Sequence, residues 1–171
     1  MLYNVFMDDH SLEAVLGELL VQRGLHLAVA ESCTGGLIGH RITNVPGSSA
    51  YYSGGVIAYA NQIKMNVLGV SAQTLDEHGA VSEQTVLEMA RGVRQALGTE
   101  IGAAISGIAG PDGGTAEKPV GLTWIGLSAP GVEKAWQHIW PGSRLQVKQQ
   151  SAQQVLRILV DYLRGVLPEQ G

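Results

Sequence analysis

The sequence lacks the features that are typical of secreted and membrane proteins. It contains a single cysteine, Cys33, so no disulfide can form within the chain and a reducing compartment is expected. No stretch approaches the roughly 20 consecutive apolar residues of a membrane span. The N-terminal segment MLYNVFMDDH is acidic and lacks the basic region of a signal peptide. We therefore predict a cytoplasmic protein with no membrane partner.

Positive charge and metal-binding clusters are also scarce. The 11 Lys and Arg residues are outnumbered by 15 Asp and Glu, and no basic cluster is interleaved with aromatic residues. Nucleic-acid-binding domains are more often basic, so we predict no nucleic-acid partner. Asp112 and Glu117 are conceivable metal ligands, but no His or Cys stands near them. We therefore expect no metal site.

Short apolar segments bounded by turn residues, together with 23 glycines, are plentiful. A chain of 171 residues suits one domain over 1–171. Periodicity and turn residues predict helices over 11–23, 37–42, 61–68, 82–97 and 145–163, and strands over 25–30, 51–60, 101–106, 121–129 and 135–140. This order predicts an α/β fold, a three-layer α/β/α sandwich with a mixed, mostly parallel sheet of about five strands.

Local signals also predict how some of these elements begin and end. Ser11 is the expected N-cap of the first helix, and Gly24 its end. Asn61 is the expected N-cap of the third helix. The pair Gly54–Gly55 indicates a bulge in the second strand.

Ser32 follows a buried strand and precedes a helix, a position where α/β folds commonly bind ligands. A nucleophile there needs amide donors for an oxyanion, and Thr34, Gly35 and Gly36 could supply them. The same segment also fits two other interpretations. Ser32 or Thr34 could simply cap the helix. Cys33 could be the nucleophile, although no His stands in a recognisable catalytic context to serve as its base.

Lys64 lies one turn into the predicted helix after the second strand. It could act as a general base if burial or a neighbouring positive charge lowers its pKa. On this segment alone, an ordinary solvated surface lysine is the favoured interpretation. Tyr59, at the end of the strand, suits either the core or a phenol aimed at the site.

The segment 106–114 is a glycine-rich loop after a strand, which can present amides to a phosphate or carboxylate. Its candidate ligand-binding residues are Ser106, Gly107 and Gly110. It is neither a dinucleotide-binding fingerprint nor a P-loop, and a plain turn is also possible. Arg144, at the head of the last helix, could bind a phosphate through two hydrogen bonds or could be a surface arginine.

Taken together, these segments resemble the C-terminal domain of the competence- and damage-inducible CinA proteins, a family that includes stand-alone PncC-type nicotinamide-nucleotide amidases. The resemblance runs from about residue 11 to 165. The matching motifs are AESCTGG (30–36), PGSSAYY (46–52), YANQIK (59–64), LGV (68–70), HGAVSE (78–83), SGIAGPDGG (106–114), KPVG (118–121) and PGSR (141–144).

The resemblance implies hydrolysis of nicotinamide mononucleotide to nicotinate mononucleotide and ammonia, in pyridine nucleotide salvage. It assigns Ser32 as the nucleophile, Lys64 as its base and Tyr59 as a further catalytic residue. No metal or organic cofactor is expected, and the protein would be a homo-oligomer, a dimer or larger. Ser143 and Lys148 depart from the aspartate and arginine that many relatives carry beside the presumed phosphate site.

Two other functions remain open at this stage. The domain could be a catalytically inactive module that binds nucleotides or partners in a competence or DNA-damage response. It could also be an amidase for a different nucleotide.

Overall fold

The computed structural model describes residues 11–169, so the acidic N-terminal segment considered above lies outside the described residues. Within this range the chain forms six α-helices, five strands and one short 3-10 helix. In chain order they are α1 Leu12–Arg23, β1 Leu27–Glu31, α2 Leu37–Thr43, the 3-10 helix Ser48–Ala50, β2 Tyr52–Ile57, α3 Asn61–Leu68, α4 Ala72–His78, α5 Glu83–Leu97, β3 Ile101–Gly107, β4 Leu122–Ala129, β5 Val132–Ile139 and α6 Arg144–Arg164.

The five strands form one mixed sheet in the order β2-β1-β3-β4-β5. β1 pairs in parallel with β2 on one side and with β3 on the other, while β3–β4 and β4–β5 are antiparallel. The prediction of a mixed five-stranded sheet is confirmed. Because β1, β2 and β3 run in parallel, their carboxyl ends lie at the same edge of the sheet, where ligands bind in such folds.

Helices cover both faces of the sheet, which confirms the layered α/β/α architecture. On one face, α1, α2 and α6 pack over a core that includes Leu16, Ile38 and Leu156. On the other face, α3 and α5 pack over a smaller core built on alanines of β1 and β3. Small residues there let α5 approach the sheet closely. A Cβ at Gly102 would lie 2.2 Å from the carbonyl oxygen of Ala90.

The predicted caps are confirmed at α1 and not at α3. The Ser11 side chain accepts a hydrogen bond from an amide of the first turn of α1, and Gly24 ends this helix with φ of 62°. Asn61 is instead the first residue of α3, and the N-cap is Ala60, which makes no side-chain cap. The bulge in β2 lies beside Gly54, where the register with β1 shifts.

Strand β2 ends at Ile57, three residues before the predicted end, and the short 3-10 helix was not predicted. Two further differences concern α4 and β5. Helix α4 was missed because none of its residues is fully buried, so it has no apolar stripe, although Ser71 caps it and Gly79 ends it. Strand β5 begins at Val132, three residues earlier than predicted, because its ladder with β4 continues to the turn. The charged pair Glu133–Lys134 interrupts the apolar pattern there without interrupting the backbone pairing.

Candidate active site

The carboxyl end of β1 places Ser32 beside β3. All five residues of β1 are buried, as expected for a strand paired on both sides and covered on both faces. The Ser32 amide donates a hydrogen bond to the carbonyl of Ile105, at 3.0 Å, so the chain stays registered on β3 for one residue beyond the strand. Ser32 is 7% exposed. Its side chain therefore has a fixed position in a largely enclosed setting.

Lys64 lies against this serine, although 32 residues separate the two in sequence. Its Nζ is 3.2 Å from Ser32 Oγ, 2.7 Å from the Ala58 carbonyl oxygen and 3.3 Å from the Tyr59 carbonyl oxygen. Lys64 lies in α3, the helix that follows β2 in the chain. The side chain is 1% exposed, which is unusual for lysine.

Burial lowers the pKa of Lys64, because removing the ammonium from water disfavours its charged form. A neutral amine has two N–H bonds and one lone pair. The carbonyls of Ala58 and Tyr59 can accept the two N–H groups, which leaves the lone pair for the hydroxyl hydrogen of Ser32. This arrangement is that of a nucleophile with an adjacent base.

The Tyr59 hydroxyl has Arg144 as its hydrogen-bond partner. The hydroxyl oxygen accepts a hydrogen bond from Nη2 of Arg144 at 3.0 Å, while Nη1 of Arg144 donates to the Gly110 carbonyl oxygen at 2.8 Å. Tyr59 thus contacts Lys64 through its main-chain carbonyl and Arg144 through its phenol. Arg144 connects the glycine-rich loop to the segment after β2.

A cavity of about 200 Å³ opens at the Ser32–Lys64 pair. It brings together the three predicted catalytic residues with Ser106, Gly107 and Arg144. It does not include Thr34, Gly35, Gly36 or Gly110. Its lining residues are Ser32, Cys33, Tyr59, Asn61, Lys64, Ala80, Val81, Ser106, Gly107, Ala109 and Arg144.

Two of the three amides predicted to form an oxyanion hole have other partners. The Gly35 amide donates to the Ser32 carbonyl at 3.1 Å, and the Gly36 amide donates to Oε2 of Glu31 at 3.0 Å. Within residues 11–169, the Thr34 main-chain N–H has no acceptor. The prediction is therefore corrected for Gly35 and Gly36, whose donors are already used. For Thr34, which does not line the cavity, it stays a prediction.

Cys33 is a poor candidate nucleophile in this setting. It is 5% exposed, and burial is the main reason that the pKa of its thiol rises to about 12. The reactive thiolate would be scarce at neutral pH. Its sulfur packs against the floor of the site, where a Cβ at Gly107 would meet it at 3.1 Å.

Several residues that line the cavity or lie next to it were not predicted as site residues from the sequence. Ala80 and Val81, from the turn between α4 and α5, form one wall, and Asn61 contributes from the start of α3. Ala80 and Val81 belong to the HGAVSE motif, which could have indicated them. Glu31, which ends β1, is 2% exposed, and its place before a Ser-Cys-Thr-Gly-Gly turn was the available clue.

The loop acids that had been considered as metal ligands are exposed, and they lie apart from this pocket. In the part of the chain that the structure describes, no group of three or more His, Cys, Asp or Glu side chains is placed to hold a metal ion. Across the same residues, no helix is both long and apolar enough to cross a membrane.

Fold and site together define a layered α/β domain with a buried serine–lysine pair at the carboxyl edge of its sheet. The chain belongs to the CinA family: the family profile described as the CinA C-terminal domain matches residues 9–163.

Curated relatives carry names of the same family. The chain is 51% identical over 158 residues to a putative competence-damage inducible protein of Moorella thermoacetica, covering 92% of this chain and 38% of that protein. It is 51% identical over 148 residues to a CinA-like protein of Gemmatimonas aurantiaca, covering 86% of this chain and 35% of that protein. The chain therefore spans less than two-fifths of the length of these relatives.

Solved structures of similar size match along nearly their whole length. A competence-damaged protein (CinA) superfamily protein from Klebsiella pneumoniae superposes with a TM-score of 0.88 at 34% identity, covering 93% of this chain and 99% of that one. A competence/damage inducible protein from Agrobacterium tumefaciens superposes with a TM-score of 0.81 at 36% identity, covering 90% and 95%.

Proposed function

We propose that this domain hydrolyses the carboxamide of nicotinamide mononucleotide, giving nicotinate mononucleotide and ammonia in pyridine nucleotide salvage. The observation that carries the proposal is the 3.2 Å contact between Nζ of the buried Lys64 and Oγ of Ser32. A buried lysine with a lowered pKa beside a serine hydroxyl is the arrangement that amide hydrolysis by a serine nucleophile requires.

In the first half of the reaction, neutral Lys64 takes the hydroxyl proton as Ser32 Oγ attacks the carboxamide carbon. The negative charge that develops on the carboxamide oxygen is stabilised by main-chain amides of the turn after Ser32 that have no other acceptor; one such donor contributes roughly 3–4 kcal/mol. The C–N bond then breaks, and the proton held by Lys64 passes to the leaving nitrogen, so that ammonia departs and an acyl-serine remains.

In the second half, a water molecule loses a proton to Lys64 and adds to the acyl-serine carbonyl. Collapse of this intermediate returns the proton to Ser32 Oγ and releases the carboxylic acid, which loses its own proton to solvent and becomes the carboxylate. Ser106 and Gly107 line the substrate cavity, and Arg144 supplies a cation for the phosphate of the mononucleotide. No step requires a metal or an organic cofactor.

Ammonia release from nicotinamide mononucleotide tests the proposal. The wild-type protein and Cys33→Ala are expected to release ammonia, and Ser32→Ala is expected to release none. Equal release by wild type and Ser32→Ala would remove Ser32 from its role. If none of the three releases ammonia but calorimetry detects binding of the mononucleotide, the inactive nucleotide-binding module replaces the amidase.

We further propose that the protein acts in the cytoplasm as a homo-oligomer. The single cysteine, which is buried, supports the cytoplasm, and the resemblance described above supports the homo-oligomer. Light scattering of the purified chain would test the second, and a mass equal to the 18.1 kDa of one chain would contradict it.

A further inference from the structure

The carboxylate of Glu31 is a buried charged group that the mechanism above does not use. Glu31 ends β1, immediately before Ser32. Its Oε2 accepts hydrogen bonds from the Thr34 hydroxyl at 2.6 Å, the Gly36 amide at 3.0 Å and the Ile38 amide at 3.1 Å. Its Oε1 accepts one from the Gly39 amide at 2.8 Å. All four donors belong to residues 34–39, so one side chain binds the whole start of α2.

These hydrogen bonds also hold the charge of the carboxylate. Among the described residues, none of the salt bridges includes Glu31. Burying a carboxylate that has neither a cation nor hydrogen-bond donors beside it would be strongly unfavourable. Charge-assisted hydrogen bonds from amides and a hydroxyl are the groups that offset this cost. The chain after Ser32 is therefore constrained to follow a path that keeps these donors on the carboxylate.

The turn that is fixed in this way carries the proposed nucleophile. It begins at Ser32, and the Gly35 amide closes it on the Ser32 carbonyl. Gly35 and Gly36 have φ values of 63° and 102°. Because glycine adopts positive and negative φ about equally easily, the two glycines by themselves do not favour this turn over other conformations. The four hydrogen bonds of Glu31 supply the missing constraint.

We propose that Glu31 is a positioning residue, whose carboxylate holds the 32–36 turn so that Ser32 Oγ faces Lys64. The proposal rests on the proposed function for its substrate, but the reactivity of Ser32 itself provides an independent readout.

Glu31→Gln is the decisive variant. It keeps the shape of the side chain, but because both carboxylate oxygens accept, the glutamine NH₂ faces a donor in either orientation. A displaced Ser32 Oγ predicts a fall in kcat of about 100-fold, the cost of a misplacement of about 1 Å. KM is expected to stay within about threefold, since the Arg144 side of the cavity is untouched. The acid limb of the pH–rate profile is expected to stay at the same pH, because Lys64 is unchanged.

The second readout is the rate at which phenylmethanesulfonyl fluoride modifies Ser32, followed by intact mass. Ser32 Oγ forms the bond to sulfur, fluoride leaves, and the hydroxyl proton passes to Lys64. We expect this rate to fall at least about tenfold in Glu31→Gln. If the wild type releases no ammonia but Glu31→Gln slows the modification, the amidase proposal fails and the role of Glu31 stands.

Matched controls separate positioning from stability. Thr34→Val removes one hydrogen bond of Glu31 and is expected to lower both rates less than Glu31→Gln does, while Thr34→Ser, which keeps the hydroxyl, recovers at least half of the loss. Thr99→Val removes a buried hydrogen bond to the Ile101 carbonyl, far from the cavity. It is expected to lower thermal stability without changing either rate. Wild-type rates in Glu31→Gln, or equal losses in Thr99→Val, would overturn the proposal.

Discussion

Replacing Lys64 with methionine tests the central chemistry of the site. Methionine matches the length of the buried stem and has no N–H group or basic nitrogen. The three contacts of Nζ, to Ser32, Ala58 and Tyr59, are lost together. Losing a general base costs about 10²- to 10⁴-fold in rate. At 1.36 kcal/mol for each tenfold, this is a rise of about 2.7–5.4 kcal/mol in the activation free energy.

The same variant is expected to change the pH dependence of the rate. The neutral form of Lys64 is the base, so the rate of the wild type falls as the pH drops through the pKa of Lys64. Burial lowers this pKa from the ordinary value of 10.5, so the acid limb lies at lower pH than a solvated lysine would give. Residual activity of Lys64→Met is expected to lack this limb. The assay is kcat/KM for ammonia release between pH 6 and pH 10.

Stability is linked to the same titration. Between the folded pKa of Lys64 and 10.5, the unfolded chain binds more protons than the folded chain, so the free energy of unfolding of the wild type rises with pH. Lys64→Met lacks this contribution, while all other groups are shared. The stability of the variant relative to the wild type is therefore highest at neutral pH and falls towards pH 10.5. The reasoning would be refuted if the free energies of unfolding of the two proteins, measured in urea, changed with pH in parallel and the kcat of Lys64→Met stayed within tenfold of the wild-type value.

Three further predictions follow from other contacts. Cys33 is expected to resist iodoacetamide at pH 8 in the folded protein, because burial raises the pKa of its thiol to about 12; labelling with loss of activity would contradict this. Arg144→Ala is expected to raise KM for the mononucleotide by about 10- to 100-fold, the loss of a charged hydrogen bond, and to change KM for the riboside little; equal effects on both substrates would place the phosphate elsewhere. Gly92→Ala would bring a Cβ to 1.9 Å from the Leu68 carbonyl oxygen, so urea unfolding should show destabilisation of about 1–3 kcal/mol or more.

The sequence was most informative where structure is local. Ser11 and Gly24 mark the ends of α1, since capping depends on residues within one turn of each other. Ser32 could be placed after a strand and before a helix for the same reason. The sequence failed at Asn61, because the choice of N-cap among neighbouring residues depends on backbone angles that the wider fold imposes.

The position of Lys64 could be proposed from the motif, but its chemistry could not. A lysine in the first turn of a short helix is ordinarily solvated. Its 1% exposure arises because Ser32 and the main-chain carbonyls of Ala58 and Tyr59 surround the amine. The hydrogen-bond partner of the Gly36 amide could not be predicted either, because the amide donates to the carboxylate of Glu31, five residues earlier.

Sequence alone thus determined the α/β layering, most element positions and the residue types available at the strand ends, because hydrophobic periodicity and turn residues act over short distances. Only the tertiary structure decided which N–H groups remain free, that Tyr59 contacts Arg144 through its hydroxyl, and that burial lowers the pKa of Lys64. These properties depend on strand pairing and on the loss of water around groups far apart in the chain. Neither strand pairing nor the loss of water can be predicted from a local sequence pattern.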